Sequence, residues 1–131
     1  MMHLAKIAAK YFDYAEIVEL HHHRKADAPS GTALATAKAM AEARGKPFCQ
    51  PPEQKVSDSR GQQIEGTTIH SVRLPGIVAR QEVLLGGPGQ TLSLKHDAIS
   101  RECYMPGVIL ATKEVVKRKG LVYGLDSLLG L

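Results

Sequence analysis

A chain of 131 residues and 14.2 kDa, 44% hydrophobic and 23% charged, has the size and balance of one globular domain. That balance excludes a disordered chain, and no run approaches the roughly 18–20 apolar residues of a membrane span. Seventeen Lys and Arg against thirteen Asp and Glu give a net charge of +4, yet the basic residues are scattered and aromatics make up only 5%. With no basic arm and no zinc-finger spacing, neither nucleic acid nor membrane is an expected partner. The opening MMHLAKIAAKYFDY lacks the continuous apolar stretch and cleavage site of a secretion signal. Cys49 and Cys103 are too few for a disulfide framework, so reduced thiols and a cytoplasmic location are expected.

In chain order, Leu4, Ile7, Ala8 and Tyr11 stand at helical spacing, predicting a short amphipathic helix over residues 1–12. The β-branched run Ala15 to Leu20 predicts a strand that feeds into three histidines. Pro29, Ser30 and Gly31 form a turn-and-cap signal, and the Ala-rich stretch Thr32 to Arg44 predicts a helix closed by Gly45 and Pro47. Residues 46–65 are polar, hold three prolines and show no period, which predicts a variable surface loop or a lid. Strands follow at Thr67 to Leu74, Ala79 to Leu85 and Thr91 to His96, the last two joined by the hairpin signal Gly86-Gly87-Pro88-Gly89. A final helix is predicted from Pro106 to Gly120, with Lys117, Arg118 and Lys119 in its last turn beside the negative end of the dipole. The apolar tail LVYGLDSLLGL is expected to dock. The fold class is α+β (mixed α/β): an open mixed sheet of about four strands with helices on one face and the other face used for oligomerisation.

Chemistry concentrates between Glu19 and Thr32. His21, His22, His23, Arg24 and Lys25 crowd five potentially cationic groups beside two local acids, Glu19 and Asp27. A metal site is weakly supported, because strand alternation would put His21 and His23 on one face and His22 on the other, with no cysteine nearby. A solvated surface cluster is the plainer alternative. A third reading uses the helix that begins at Ser30-Gly31-Thr32. Its unpaired N–H groups and positive dipole end suit an anion, and Gly31 permits close approach of that anion to the backbone. With His22 and Lys25 alongside, the stretch suits a small polycarboxylate undergoing a protonation-coupled step.

The residues Glu19-Leu-His21-His22-His23-Arg24-Lys25-Ala-Asp27-Ala-Pro29-Ser30-Gly31-Thr32-Ala33 meet the pattern E-x-H-H-x-x-K-x-D-x-P-S-G-T-A at every fixed position. The stretch thereby resembles the signature of the dihydrodipicolinate reductase (4-hydroxy-tetrahydrodipicolinate reductase) family. Arg73-Leu-Pro-Gly76, Gly87-Pro-Gly89, His96-Asp-Ala-Ile-Ser100-Arg101 and the closing Tyr123-Gly-Leu-Asp-Ser-Leu-Leu resemble later parts of the same family. The resemblance implies an oxidoreductase of the diaminopimelate route to lysine, passing hydride from NADH or NADPH to a cyclic dicarboxylate to give tetrahydrodipicolinate. By position it implies His21 as the acid/base residue and Lys25 as proton donor. His22, Lys25, Ser30, Gly31 and Thr32 would hold the substrate carboxylates, with Arg101 near the cofactor. It also implies a homotetramer built through the open sheet face, and no metal. The family's G-x-x-G-x-x-G turn is missing here. The resemblance therefore implies that residues 1–131 are the C-terminal substrate-binding and tetramerisation domain, with the N-terminal Rossmann domain absent from this chain, which would be inactive alone. A non-catalytic dicarboxylate-binding or oligomerisation module and a His-rich metal-binding protein stay open as alternatives.

Overall fold

The computed structural model describes residues 1–52 and 59–131. The chain divides into two compact units, residues 1–97 and 98–131.

The first unit contains helix α1 (Met2–Ala9), strand β1 (Tyr14–His21), helix α2 (Gly31–Arg44) and strands β2 (Gln62–Ile64), β3 (Thr67–Arg73), β4 (Ala79–Gly87) and β5 (Gln90–Ala98, its last residue in the second unit). The described residues place these strands in one mixed sheet of order β2-β3-β1-β4-β5. The central strand β1 runs parallel to β3 and antiparallel to β4, pairing Glu19 with Ser71 and Gln81, and His21 with Arg73 and Ala79. The α+β class and open mixed sheet match expectation, with one strand more than predicted.

Alternation along β1 decides what the sheet buries. Ala15, Ile17 and Glu19 are covered, while Glu16, Val18 and Leu20 on the other face are less so. Ile17, Ile69, Val83 and Leu85 meet Ala33, Ala37 and Met40 of α2 in the core, and Ala5 and Ala9 of α1 complete it. The face predicted for α1 is not the one that packs. Leu4, Ile7 and Tyr11 are exposed, whereas Ala5 and Ala9 are fully buried. Alanine on both helices explains the difference: two stripes of small side chains let α1 and α2 approach closely, and the bulkier residues of α1 are left outside. On the opposite face of the sheet, Glu16 binds both Arg60 and His70 among aliphatic side chains, so this face carries charge as well as apolar surface.

Residues 46–65 are more structured than their composition predicts, although 53–58, and any lid they would form, lie outside the described residues. Phe48 is buried in the core, and its N–H bonds Glu65 while Cys49 N–H bonds Asp13, which pins the stretch at both ends. Arg44 adds bonds to the Phe12 and Pro47 carbonyls and to Asp13, with its guanidinium 4.9 Å over the Phe48 ring. Gln62–Ile64 then pair with β3 through the Glu65-Gly66 turn. Gly66 has φ of 78°, and a Cβ there would stand 2.2 Å from the Phe48 carbonyl oxygen, so glycine is required.

In the second unit a 3₁₀ turn (Arg101–Tyr104), capped by Ser100, leads into α3 (Met105–Val115) with Pro106 in its first turn. α3 stops five residues before the predicted Gly120. Lys117, Arg118 and Lys119 therefore follow the helix instead of occupying its last turn, and Lys117 and Arg118 pair back to Glu114. The helix gives out at Val115-Val116, a β-branched pair in which Lys117 N–H has turned to the Glu114 carbonyl. The tail docks in part: α4 (Asp126–Leu129) follows a segment in which Leu125 lies against Gly107 of α3, whereas Leu121 and Tyr123 are more than nine-tenths or about nine-tenths exposed.

Candidate active site

The parallel neighbours β1 and β3 end side by side at His21 and Arg73, with Leu74 N–H closing on the His21 carbonyl at 3.1 Å. β1 stops at His21, so the alternation predicted for the three histidines does not continue. His22 leaves the strand, and His23-Arg24 form a turn closed by a 3.1 Å bond from Lys25 N–H to the His22 carbonyl. The chain then passes the cis Ala28–Pro29 peptide and enters α2. Ser30 is the N-cap, with extended backbone and its Oγ accepting the Ala33 N–H at 3.2 Å. Helix residues therefore begin at Gly31, one earlier than predicted, and Gly45 in the left-handed conformation closes the helix as expected.

Glu19 lies fully buried at the centre of this region. Its Oε1 accepts the Ser30 N–H at 3.1 Å and Arg73 Nη2 at 2.8 Å, and its Oε2 accepts Arg73 Nη1 at 2.9 Å and lies 2.5 Å from His21 Nδ1. Arg73 also donates to the Asp27 carbonyl at 2.6 Å and to the Val72 carbonyl at 2.8 Å. Burial acts to raise the Glu19 pKa, but hydrogen bonds from Arg73, Ser71 and His21, together with the Arg73 charge, outweigh it and hold the carboxyl below its usual range. The result is an anion kept charged in the interior by a bidentate guanidinium.

A second carboxylate gathers the other side of the site. Asp27 binds Lys25 Nζ at 2.7 Å, and Lys25 is about a quarter exposed. The Asp27 carboxyl is held below its ordinary range, first by the Lys25 hydrogen bond, against an opposing effect of burial, and further by backbone N–H groups that include Gly31 and by the Lys25 charge. The positive end of α2 and Lys25 thus already attract one carboxylate, which is the chemistry a carboxylate ligand would use.

These contacts connect His21, His22, Lys25, Ser30 and Gly31 around Glu19, Asp27 and Arg73, with exposed Thr32 next along α2. Ser30 differs from the ligand-facing part expected of it. It is 2% exposed, its hydroxyl caps α2 and its N–H is taken by Glu19, so it builds the site's wall. Arg101 belongs to the second unit, where it is exposed in the 3₁₀ turn. The residues underestimated from sequence are Glu19, Asp27 and Arg73. Glu19 could have been found from its i−2 spacing to His21, which puts both on one face of β1. Arg73 gives no such signal, because its place depends on the parallel register of β1 and β3. Among the described residues no group of three His, Cys, Asp or Glu side chains is placed to hold a metal ion, and no helix is long and apolar enough to cross a membrane.

The end of the mixed sheet thus brings together a helix N-terminus that draws a carboxylate and a carboxylate-held histidine. The pattern of the family described as "Dihydrodipicolinate reductase, C-terminus" matches residues 1–129. The chain is 57% identical over 131 residues to 4-hydroxy-tetrahydrodipicolinate reductase of Dehalococcoides mccartyi, covering 100% of this chain and 50% of that protein. It is 55% identical over 130 residues to the enzyme of the same name from Moorella thermoacetica, covering 98% and 49%. A solved structure described as dipicolinate-bound dihydrodipicolinate reductase from a Paenisporosarcina species superposes with a TM-score of 0.83 at 45% identity, covering 96% of this chain and 48% of that one. The chain belongs to the dihydrodipicolinate reductase C-terminal family. It spans about half the length of the curated relatives it matches.

The depressed Glu19 pKa makes acid stability testable. A carboxyl whose folded pKa is lowered contributes stability that is fully present above its unfolded value and is lost as pH falls through the folded one. Urea midpoints should therefore drop as pH falls below about 4. Glu19→Gln should begin about 3–5 kcal/mol weaker, because Arg73 loses its buried counter-charge. The variant should then lose stability with a shallower acid slope than the wild type. Equal slopes would show that Glu19 is not held charged in the fold.

Proposed function

We propose that this chain is the substrate-binding part of an NAD(P)H-dependent 4-hydroxy-tetrahydrodipicolinate reductase acting in the diaminopimelate route to lysine. The observation that carries the reading is the α2 N-terminus, where Gly31 and Thr32 stand exposed and the Asp27 carboxylate links Gly31 to Lys25. That end already draws the Asp27 carboxylate. A dicarboxylate presents the same group to the same donors. The dipicolinate in the description of the Paenisporosarcina structure is a planar dicarboxylate of that kind.

One ligand carboxylate would take the Gly31 and Thr32 N–H groups and the Thr32 hydroxyl, with Lys25 and His22 holding the ligand from the side. To do so it displaces Asp27 from Lys25, exchanging one carboxylate for another at little electrostatic cost. In the overall conversion the 4-hydroxyl leaves as water, and the ring takes up a hydride from the dinucleotide and a proton across one double bond to give tetrahydrodipicolinate. His21 would serve as the acid/base residue and Lys25 as the proton donor.

The described residues do not form a dinucleotide cradle. The sheet has a single parallel pair, β1 and β3, and the turn leaving β1 carries histidines and a proline instead of closely spaced glycines. NADH or NADPH would accordingly be held outside this chain, with Arg101 as a contact from it, and the chain alone would not turn over substrate. The charged and aliphatic side chains on the sheet face turned away from α1 and α2 suit a second copy, and the assembly we propose is a homotetramer in the cytoplasm.

Calorimetric titration with dipicolinate tests the binding assignment. Wild-type protein should bind, and Lys25→Ala should weaken binding about 10- to 100-fold, the worth of one charge-assisted hydrogen bond. A Lys25→Ala variant that binds as well as wild type, or a wild type that binds nothing, would remove the reading. Light scattering on the purified chain tests the assembly: a tetramer is expected, and a strictly monomeric chain at high concentration would refute it.

A further inference from the structure

The same buried carboxylate touches both halves of the proposed site. Glu19 Oε2 lies 2.5 Å from His21 Nδ1, and Glu19 Oε1 accepts the N–H of Ser30, the cap of α2. An ionised carboxylate only accepts hydrogen bonds, so in the neutral imidazole Nδ1 must carry the proton and Nε2 must be the basic nitrogen. We infer that Glu19 is a positioning residue that fixes the tautomer of His21 and anchors the anion-binding end of α2, with Arg73 as its counter-ion. Its meaning for the reaction rests on the reading of His21 as acid/base group. Its structural content does not.

The network is over-determined in a way that makes the assignment specific. Two donors, Ser30 N–H and Arg73 Nη2, converge on Oε1 at 3.1 and 2.8 Å. An amide at this position would keep its oxygen there, because an NH₂ would face both donors. In Glu19→Gln the NH₂ would thus stand where Oε2 is now, beside Arg73 Nη1 and His21 Nδ1. A donor facing Nδ1 reverses the demand on the ring, moving the proton to Nε2. A side chain that merely fills space has no reason to change which ring nitrogen is protonated. The arrangement also separates two roles of one residue: the substitution keeps the oxygen that holds Ser30, and with it the α2 terminus, while changing the atom that faces His21.

The experiment is two-bond ¹H–¹⁵N correlation of the histidine rings at about pH 8, above the ordinary imidazole titration, with His21 assigned by its loss in His21→Asn. Wild type should show the Nδ1–H tautomer at His21, and Glu19→Gln the Nε2–H tautomer. A wild-type His21 protonated on Nε2 overturns the inference with no variant needed, so a Glu19→Gln protein that fails to fold leaves it open to refutation. A tautomer unchanged between wild type and a folded Glu19→Gln overturns it equally. If wild type shows the expected tautomer but binds no dipicolinate, the functional reading falls and the positioning role stands. If dipicolinate binds and the tautomer is wrong, the reverse holds.

Discussion

The end of this domain where β1, β3 and α2 meet depends on keeping one carboxylate charged where water does not reach. Removing Glu19 and Arg73 from water costs several kcal/mol for each ion, and a pair of apolar residues of similar size would stabilise the fold at least as well. The bidentate guanidinium, the Ser30 N–H and His21 offset that cost by satisfying both oxygens. What the arrangement supplies beyond stability is geometry. β1, β3 and the start of α2 come from three separate parts of the chain, and the Glu19 carboxylate bonds to a residue at the end of each.

The order of the sheet makes that convergence possible. β1 and β3 are parallel neighbours, so their carboxyl ends arrive together, and α2 returns over the same face with its N-terminus at that edge. Strand ends that converge beside a helix N-terminus form a natural place for an anion. The alanines of α1 and α2 bring the two helices close over the rest of this face, while His21 and Arg73 at the strand ends stay partly exposed and Ser71 exposed.

Much of this was legible from sequence because it is local. The Ser30 cap, the Gly45 stop and the Pro88-Gly89 hairpin each announce themselves within a few residues, and the fifteen-residue signature placed His21, His22, Lys25, Gly31 and Thr32 together. What was illegible depends on partners distant along the chain. Arg73 reaches Glu19 across 54 positions through a parallel register that no local pattern encodes. The helical spacing of Leu4, Ile7 and Tyr11 suggested the wrong face of α1, because an alanine stripe carries little hydrophobic weight in sequence but permits the closest packing. Polar residues 46–65 concealed Phe48, one aromatic side chain that ties the start of the stretch to the core.

If the proposed site is preassembled around Glu19, a dicarboxylate displaces Asp27 and disturbs little else. A crystal structure of this chain with dipicolinate measures this directly. The expected complex has a ligand carboxylate on the Gly31 and Thr32 N–H groups, Lys25 transferred from Asp27 to the ligand, and the contacts of Glu19 with His21, Ser30 and Arg73 unchanged. A ligand bound elsewhere, or a Glu19 that releases Arg73 or His21 when the ligand enters, would contradict it.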